Sequence, residues 1–190
     1  MKKTIKLGLI LLMFTVVAAG ILAFLNQNTK DIIADVKVKE SNEARKEVLP
    51  TGKEFKELDE NEFKAATSDS PAVEEIYEGL DGENVVGYTI KTTLSGYSGP
   101  VVVMTGIDKE GVVSGMKVVS NTETPGLGAN SSTPEFQDQY TGKSAENDIG
   151  LVKNSPAEGE VQALTGATIT SKAVTDSVNE AIKVFKNISK

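Results

Sequence analysis

The sequence predicts an α+β protein in which one membrane-spanning helix precedes a single mixed domain. Three observations predict it: an uncharged apolar run near the N-terminus, three short β-branched runs in the middle, and an amphipathic helix pattern close to the C-terminus. The length of 190 residues suits one globular domain with an appendage. We expect four segments: an N-terminus over 1–6, a transmembrane helix over 7–25, a helical stalk and connecting segment over 26–70, and a globular domain over 71–190.

The apolar run extends from Leu7 to Leu25, nineteen residues without a charge. As a helix it is about 28 Å long, close to the thickness of a bilayer core. Lysines precede the run and uncharged residues follow it at 26–28, so the positive-inside rule places the N-terminus in the cytoplasm and the rest outside. The alternative is a cleaved signal peptide, because Val17-Ala18-Ala19 resembles a cleavage site, but the apolar run exceeds a normal signal core.

The composition limits the chemistry of the domain. The sequence has no Cys, no His and no Trp, which removes the usual ligands of iron–sulfur clusters, haem and most zinc or copper sites. Electron transfer by such a chain therefore requires an organic cofactor. The absence of His and Cys also argues against the acid–base or nucleophilic machinery of a hydrolase, although abundant carboxylates leave such an enzyme open. Seventeen of the 20 basic residues and all 27 acidic ones follow the apolar run, and the resulting net charge of −10 repels nucleic acid.

The segments directly after the apolar run carry helix patterns. Thr29 to Leu49 is charged with an imperfect apolar stripe and predicts a helical stalk, which Pro50 and Gly52 end. Phe55 to Ala66 is a second, weakly amphipathic piece. The short Val73 to Tyr77 segment fits a helix or a strand equally well.

The middle of the chain predicts an antiparallel β meander. Two of the three β-branched runs, Pro100 to Ile107 and Val112 to Ser120, flank the hairpin turn Asp108-Lys109-Glu110-Gly111. The first run, Asn84 to Thr93, joins them through a glycine-containing corner at Ser95 to Pro100. No long helical pattern separates the runs, so a parallel doubly wound sheet is disfavoured.

A loop from Asn121 to Asn130 leaves the meander. Its Pro125-Gly126 pair favours a type II turn, and the absence of a Lys-Ser/Thr pair excludes a Walker phosphate loop. We expect a short helix over Pro134 to Tyr140, then a polar loop to Glu158, and a closing strand over Glu160 to Ala163.

The last segment is the clearest helix pattern. Its apolar residues recur at spacings of four, three, four and three, at Val174, Val178, Ala181, Phe185 and Ile188. The pattern predicts a helix beginning near Thr170, with Thr165 to Thr168 as the loop entering it.

The mouth of this helix is the candidate site. A helix start offers unpaired N–H groups and the positive end of a dipole, which suit a phosphate. Gly166 and Ala167 permit close approach to the backbone. Thr165, Thr168, Thr170 and Ser171 supply hydroxyls able to cap the helix, bind phosphate or carry an ester. The alternative is an ordinary capped helix behind a small-residue turn.

Two motifs together resemble a known family. Thr165-Gly166-Ala167-Thr168 followed by Thr170-Ser171, with Glu123-Thr124-Pro125-Gly126-Leu127-Gly128 upstream, is similar to the FMN-binding domain of membrane electron-transport complexes. Within this family, the motifs resemble those of the G subunit of the Rnf ion-translocating complex and of its relative, the C subunit of the Na⁺-translocating NADH–quinone reductase. Gly96 to Pro100, Gly142-Lys143 and the N-terminal anchor fit the same family, so the resemblance covers nearly the whole chain.

The resemblance implies a covalent FMN whose phosphate is esterified to Thr168 by a separate flavin transferase. It places cofactor contacts at Thr165, Gly166, Ala167, Glu123, Thr124 and Leu127, with no catalytic residue and no metal. It implies electron carriage between ferredoxin and NAD coupled to Na⁺ or H⁺ transport, with other integral-membrane and redox subunits as partners. The alternatives are the quinone-reductase subunit and, from another class, a flavin-free membrane-tethered scaffold.

Overall fold

The computed structural model describes the backbone of residues 2–189, and their side chains except those of residues 2, 3, 28 and 31. The two terminal residues, at the outer ends of the first and last predicted segments, lie outside the described residues. The chain forms two compact units, one up to Glu40 and one from Ser41 onward.

The first unit consists of most of helix α1, which spans Lys2–Val48. Within α1, the 24 residues Thr4–Gln27 are long and apolar enough to cross a membrane, and their described side chains are exposed. A signal sequence near the N-terminus meets the same criterion of length and composition.

The second unit is built on a five-stranded antiparallel sheet whose strands follow one another in chain order. The strands are β1 (Glu54–Glu57), β2 (Val73–Asp81), β3 (Asn84–Ser95), β4 (Pro100–Asp108) and β5 (Val113–Asn121). The predicted meander is confirmed, and its three β-branched runs correspond to β3, β4 and β5. The ambiguous segment after Pro71 is a strand, because it pairs along its length with β3.

The second amphipathic piece, Phe55 to Ala66, does not form one element. It divides into edge strand β1 and helix α2 (Glu60–Ala66), which are separated at Asp59. The Asp59 carboxylate accepts the N–H groups of Asn61 at 2.9 Å and Glu62 at 3.0 Å, and these bonds start α2 there. These bonds and the β1–β2 pairing, rather than local apolar spacing, decide the boundary.

Helix α4 (Thr168–Ile188) covers one face of the sheet. Its predicted apolar stripe is buried, with Val174, Val178 and Ala181 fully enclosed. Phe185 meets the ring of Tyr88 edge to face, with centroids 6.0 Å apart. The predicted stripe is confirmed, and it anchors α4 on the core.

The end of α1 covers the opposite face. Ala44 and Val48 pack there against Met104 of β4 and Val119 of β5. The Ser114 hydroxyl donates to the Val48 carbonyl at 2.5 Å. These contacts explain why the second compact unit begins at Ser41. The sequence pattern places the start of the domain later, at residue 71.

The chain between β5 and α4 is irregular. It contains two 3₁₀ turns, Gly128–Ser132 and Asp138–Tyr140, on either side of the one-turn helix α3 (Pro134–Gln137). The expected polar loop includes a short strand, β6 (Gly150–Val152), which pairs in parallel with β7 (Glu160–Gln162). The predicted closing strand is therefore present but joins β6 and not the meander.

Candidate cofactor site at the start of helix α4

Helix α4 begins at Thr168, two residues earlier than the sequence pattern predicts, and Ala167 is its N-cap. The reason is a set of local hydrogen bonds around Ser171. Its N–H and its hydroxyl both donate to the Ala167 carbonyl, each at 3.0 Å, and the hydroxyl accepts the N–H of Leu164 at 2.9 Å. Gly166, with φ of +77°, makes the left-handed turn into the helix.

This helix start carries no side-chain cap among the described residues. Its N-cap, Ala167, has no side-chain acceptor for the first N–H groups, and the first turn contains no acidic residue. Helix α2, by contrast, is capped by Asp59. The first N–H groups and the positive end of the α4 dipole therefore remain available to an anion beside Thr168.

A cleft of about 410 Å³ opens at this helix start. Three chain segments form its walls: the β3–β4 turn, the loop after β5, and the turn into α4. The lining residues are Tyr97, Glu123, Thr124, Leu127, Gly128, Gly166, Ala167, Thr168, Ile169 and Thr170. The volume lies within the range of small-molecule sites in proteins.

The cleft brings together six of the seven residues that the sequence singles out as contacts. Thr168, Gly166, Ala167, Glu123, Thr124 and Leu127 all line it. Thr165 instead borders a separate depression next to Phe136 and Gln162.

Four lining residues have no place among the sequence-derived contacts: Tyr97, Gly128, Ile169 and Thr170. Two signals were present in the sequence. Tyr97 lies in the glycine-containing corner between the first two β-branched runs, and Gly128 ends the Glu123 to Gly128 motif. Ile169 carries no such signal, because its exposure follows only from the place where α4 begins.

The hydroxyl groups at the start of α4 have different environments. Thr168 is exposed at the cleft, whereas Thr170 and Ser171 are buried. Thr170 does not cap the helix as the sequence suggests. Its hydroxyl donates to Glu123 Oε2 at 2.8 Å, because the helix starts two residues earlier and turns Thr170 inward.

The rim of the cleft is apolar and exposed. Tyr97, Leu127 and Ile169 are 73%, 45% and 57% exposed. Leu127 follows the turn through Pro125 and Gly126, in which its N–H donates to the Thr124 carbonyl at 3.1 Å and Gly126 has φ of +78°. This geometry is that of a type II turn, as the sequence predicts.

These features fit the parts of FMN. The uncapped helix start suits its phosphate, the Thr168 hydroxyl is accessible, and three apolar side chains surround space for a flat aromatic ring. The absence of a side chain at Gly166 lets the turn lie close to Leu127, since a Cβ on this residue would lie 3.2 Å from the Leu127 side chain.

Two protein families match separate parts of the chain. The FMN-binding domain family matches residues 96–183, and the RnfG N-terminal region matches residues 1–48. The G subunit of the Na⁺-translocating ferredoxin:NAD⁺ oxidoreductase complex of Acetobacterium woodii is 43% identical, over 100% of this chain and 95% of its own length. The chain belongs to the family of G subunits of ion-translocating oxidoreductase complexes.

A further relative agrees with this membership. The G subunit of the ion-translocating oxidoreductase complex of Methanosarcina acetivorans is 33% identical, over 95% of this chain and 94% of its own. The crystal structure of the C subunit of the Na⁺-translocating NADH–quinone reductase from Parabacteroides distasonis is 24% identical, with a TM-score of 0.53 over 70% of this chain and 78% of its own. The latter likeness shows a shared fold.

The family assignment confirms the sequence-derived family, the fold class and FMN as the cofactor. The FMN-binding domain match spans every residue that lines the cleft. The apolar helix and the membrane-complex relatives together make the chain a membrane-associated, single-pass subunit.

Proposed function

We propose that the chain is the subunit that carries electrons on FMN between ferredoxin and NAD, inside a membrane complex that moves Na⁺ or H⁺. The observation that carries the proposal is the cleft at the uncapped start of α4, inside the FMN-binding domain match. The names of the full-length relatives supply the class of complex. FMN, when bound, supplies the redox chemistry, while the chain binds and orients it.

We place the attachment point at Thr168. Its hydroxyl is exposed at the cleft, next to the free N–H groups of the first turn. Thr170 and Ser171 are buried, and their hydroxyls are already hydrogen-bonded. Thr165 lies outside the cleft. Accessibility and the helix dipole therefore both favour Thr168 for a phosphoester.

We propose that a separate flavin transferase makes the attachment, as the family resemblance implies. A threonine hydroxyl is a weak nucleophile unless a neighbouring base activates it, and the chain contains no histidine. The contribution of this protein is an accessible hydroxyl and a helix start that stabilises the charge of the phosphate.

The orientation follows from the lysines that precede the apolar run. We place the N-terminus in the cytoplasm and the FMN domain outside, where other integral-membrane and redox subunits of the complex contact it. The related quinone-reductase subunit shares the fold, but no further observation favours it over the relatives from ferredoxin:NAD⁺ oxidoreductase complexes.

The test is production of the full chain with a flavin transferase, followed by in-gel fluorescence and tandem mass spectrometry. Wild-type protein is expected to be yellow and fluorescent on a denaturing gel. Thr168→Val removes the fluorescence and leaves the fold intact, whereas the matched variants Thr165→Val and Thr170→Val retain it. A phosphoester on any other hydroxyl contradicts the assignment, and protein without flavin contradicts the proposed function and supports a flavin-free scaffold.

A further inference from the structure

The side chain of Glu123 connects all three walls of the cleft. Its Oε1 accepts the N–H groups of Tyr97 at 2.8 Å and Ser98 at 3.0 Å, and its Oε2 accepts the Thr170 hydroxyl at 2.8 Å. The residue is only 7% exposed although it lies in a surface loop. Both carboxylate oxygens are therefore engaged within the protein.

Two glycines, Gly96 and Gly128, leave space for the Glu123 carboxylate. A Cβ on Gly96 would lie within 3.0 Å of Glu123 Oε1, and a Cβ on Gly128 would lie within 3.0 Å of both Glu123 Oε2 and the Thr170 hydroxyl. Two segments distant in sequence thus carry glycine where a side chain would displace the carboxylate. The family resemblance suggests a direct cofactor contact for Glu123, whereas the geometry turns its oxygens toward the protein.

We propose that the hydrogen-bonded pair Glu123 and Thr170, here called the clasp, positions the flavin ring. Glu123 does so by holding the walls of the cleft together and not by contact with the cofactor. Thr170 lies in the first turn of α4, two residues after Thr168, and Tyr97 lies on a different wall, the β3–β4 turn. The clasp fixes the distance between the first turn of α4, which bears the flavin, and the β3–β4 turn, which contains Tyr97. This inference rests on the proposed attachment at Thr168.

Hydrogen-bond chemistry distinguishes the effects of different substitutions. In Glu123→Gln the amide oxygen still accepts the two N–H groups, and the amide nitrogen donates to the Thr170 hydroxyl, which is able to accept as well as donate. Glu123→Ala leaves the N–H groups of Tyr97 and Ser98 without their acceptor. Thr170→Val removes a single hydroxyl with almost no change of shape and leaves Oε2 unpaired.

The experiment uses the full chain, produced with a flavin transferase, in wild-type form and as Glu123→Ala, Thr170→Val and Glu123→Gln. Exposed residues away from the cleft supply matched controls, Glu83→Gln and Thr141→Val. Two properties of the attached flavin are measured, its visible circular dichroism and the quenching of its fluorescence by acrylamide, an uncharged quencher. Mass spectrometry and far-ultraviolet circular dichroism report attachment and folding separately.

Glu123→Ala and Thr170→Val are expected to keep covalent FMN but to lose most of the visible dichroism, with a severalfold rise in the acrylamide quenching constant. Glu123→Gln and both controls are expected to match wild type. Because Thr170→Val is nearly isosteric, it remains informative if Glu123→Ala fails to fold.

Wild-type optical signals in a flavinylated Thr170→Val protein would overturn the clasp. A Glu123→Gln protein that behaves like an alanine variant would overturn the hydrogen-bonding account, since it retains the shape and the donors and acceptors needed. Wild-type protein without covalent FMN would instead overturn the proposed function, so the two failures are distinguishable.

Discussion

At the scale of single residues, the site depends on where each polar group is directed. Two threonines in the first turn of α4 have the same chemistry, yet one is exposed at the cleft and the other is bonded to a buried carboxylate. The buried carboxylate of Glu123 is bonded to two backbone N–H groups and a hydroxyl, none of which carries a full positive charge. Its charge therefore acts on whatever occupies the cleft.

Glu123→Gln is expected to raise the midpoint potential of the bound flavin. The substitution removes a negative charge from the wall of the cleft while keeping the hydrogen-bonding shape, so an added electron meets less repulsion. Spectroelectrochemical titration of the flavinylated protein measures the shift. The exposed Glu83→Gln variant serves as the control, and an unchanged or lower potential in Glu123→Gln would contradict the expectation.

Arg45 also carries a charge in a buried position, with 3% of its surface exposed. Its guanidinium forms an ion pair with Glu75, donates to the Asn42 amide oxygen at 2.6 Å, and lies 3.6 Å from the centre of the Tyr77 ring. Burial raises the pKa of the Tyr77 hydroxyl, and the nearby Arg45 charge opposes that rise. Arg45 thereby fastens the end of α1 to strand β2.

Arg45→Ala is expected to lower the free energy of unfolding by about 1.5 to 3 kcal/mol, because the hydrogen bonds of the buried guanidinium to Glu75 and Asn42 are lost while Lys91 still pairs with Glu75. Urea unfolding of a fragment covering residues 26–190 measures the loss. Lys53→Ala breaks an exposed pair with Asp81, 2.8 Å apart, and should cost less than about 1 kcal/mol. Equal effects of the two substitutions would show that Arg45 contributes no more than a surface charge.

At the scale of elements, the last turns of α1 are part of the sheet domain. Gly106 and Gly115, on adjacent strands, leave room for Val48, since a Cβ on either would meet its backbone. Gly79 and Gly87 make the same space for the side chain of Leu49. The end of α1 and the residue after it therefore lie in a channel of glycines across four strands.

A fragment covering residues 26–190 is expected to fold without a flavin transferase and to be colourless, since its apolar core does not depend on the cofactor. A fragment covering residues 53–190 should be markedly less stable. Val48 and Leu49 are fully buried, and loss of each removes about 1.5 to 3 kcal/mol of apolar burial. Urea unfolding compares the two fragments, and equal midpoints would show that the end of α1 is only a linker.

At the scale of the whole molecule, the charge pattern around the apolar run predicts the topology. A reporter active only outside the cytoplasm should be active when fused behind residue 190, because the lysines before Leu7 hold the N-terminus inside. A reporter active only in the cytoplasm supplies the control when fused ahead of residue 1. The reverse pattern of activity would place the FMN domain in the cytoplasm.

Local sequence determined much of the fold. The β-branched runs predicted β3, β4 and β5 to within one or two residues, and the apolar spacing predicted the buried stripe of α4. Such patterns report directly whether each element has one buried face, and neighbouring residues alone set them. Neighbouring residues alone also define the apolar run near the N-terminus and the small-residue turn before Thr168.

Only the tertiary structure decided which groups meet. Glu123 is separated by more than twenty residues from each of its partners Tyr97, Ser98 and Thr170, so its role depends on loops that the sheet and α4 bring together. The end of α1 has the charged composition of a stalk, and its burial follows from glycines on strands far along the chain. Local patterns specify elements because they arise from neighbours in sequence, whereas a clasp or a docking channel arises from neighbours in space.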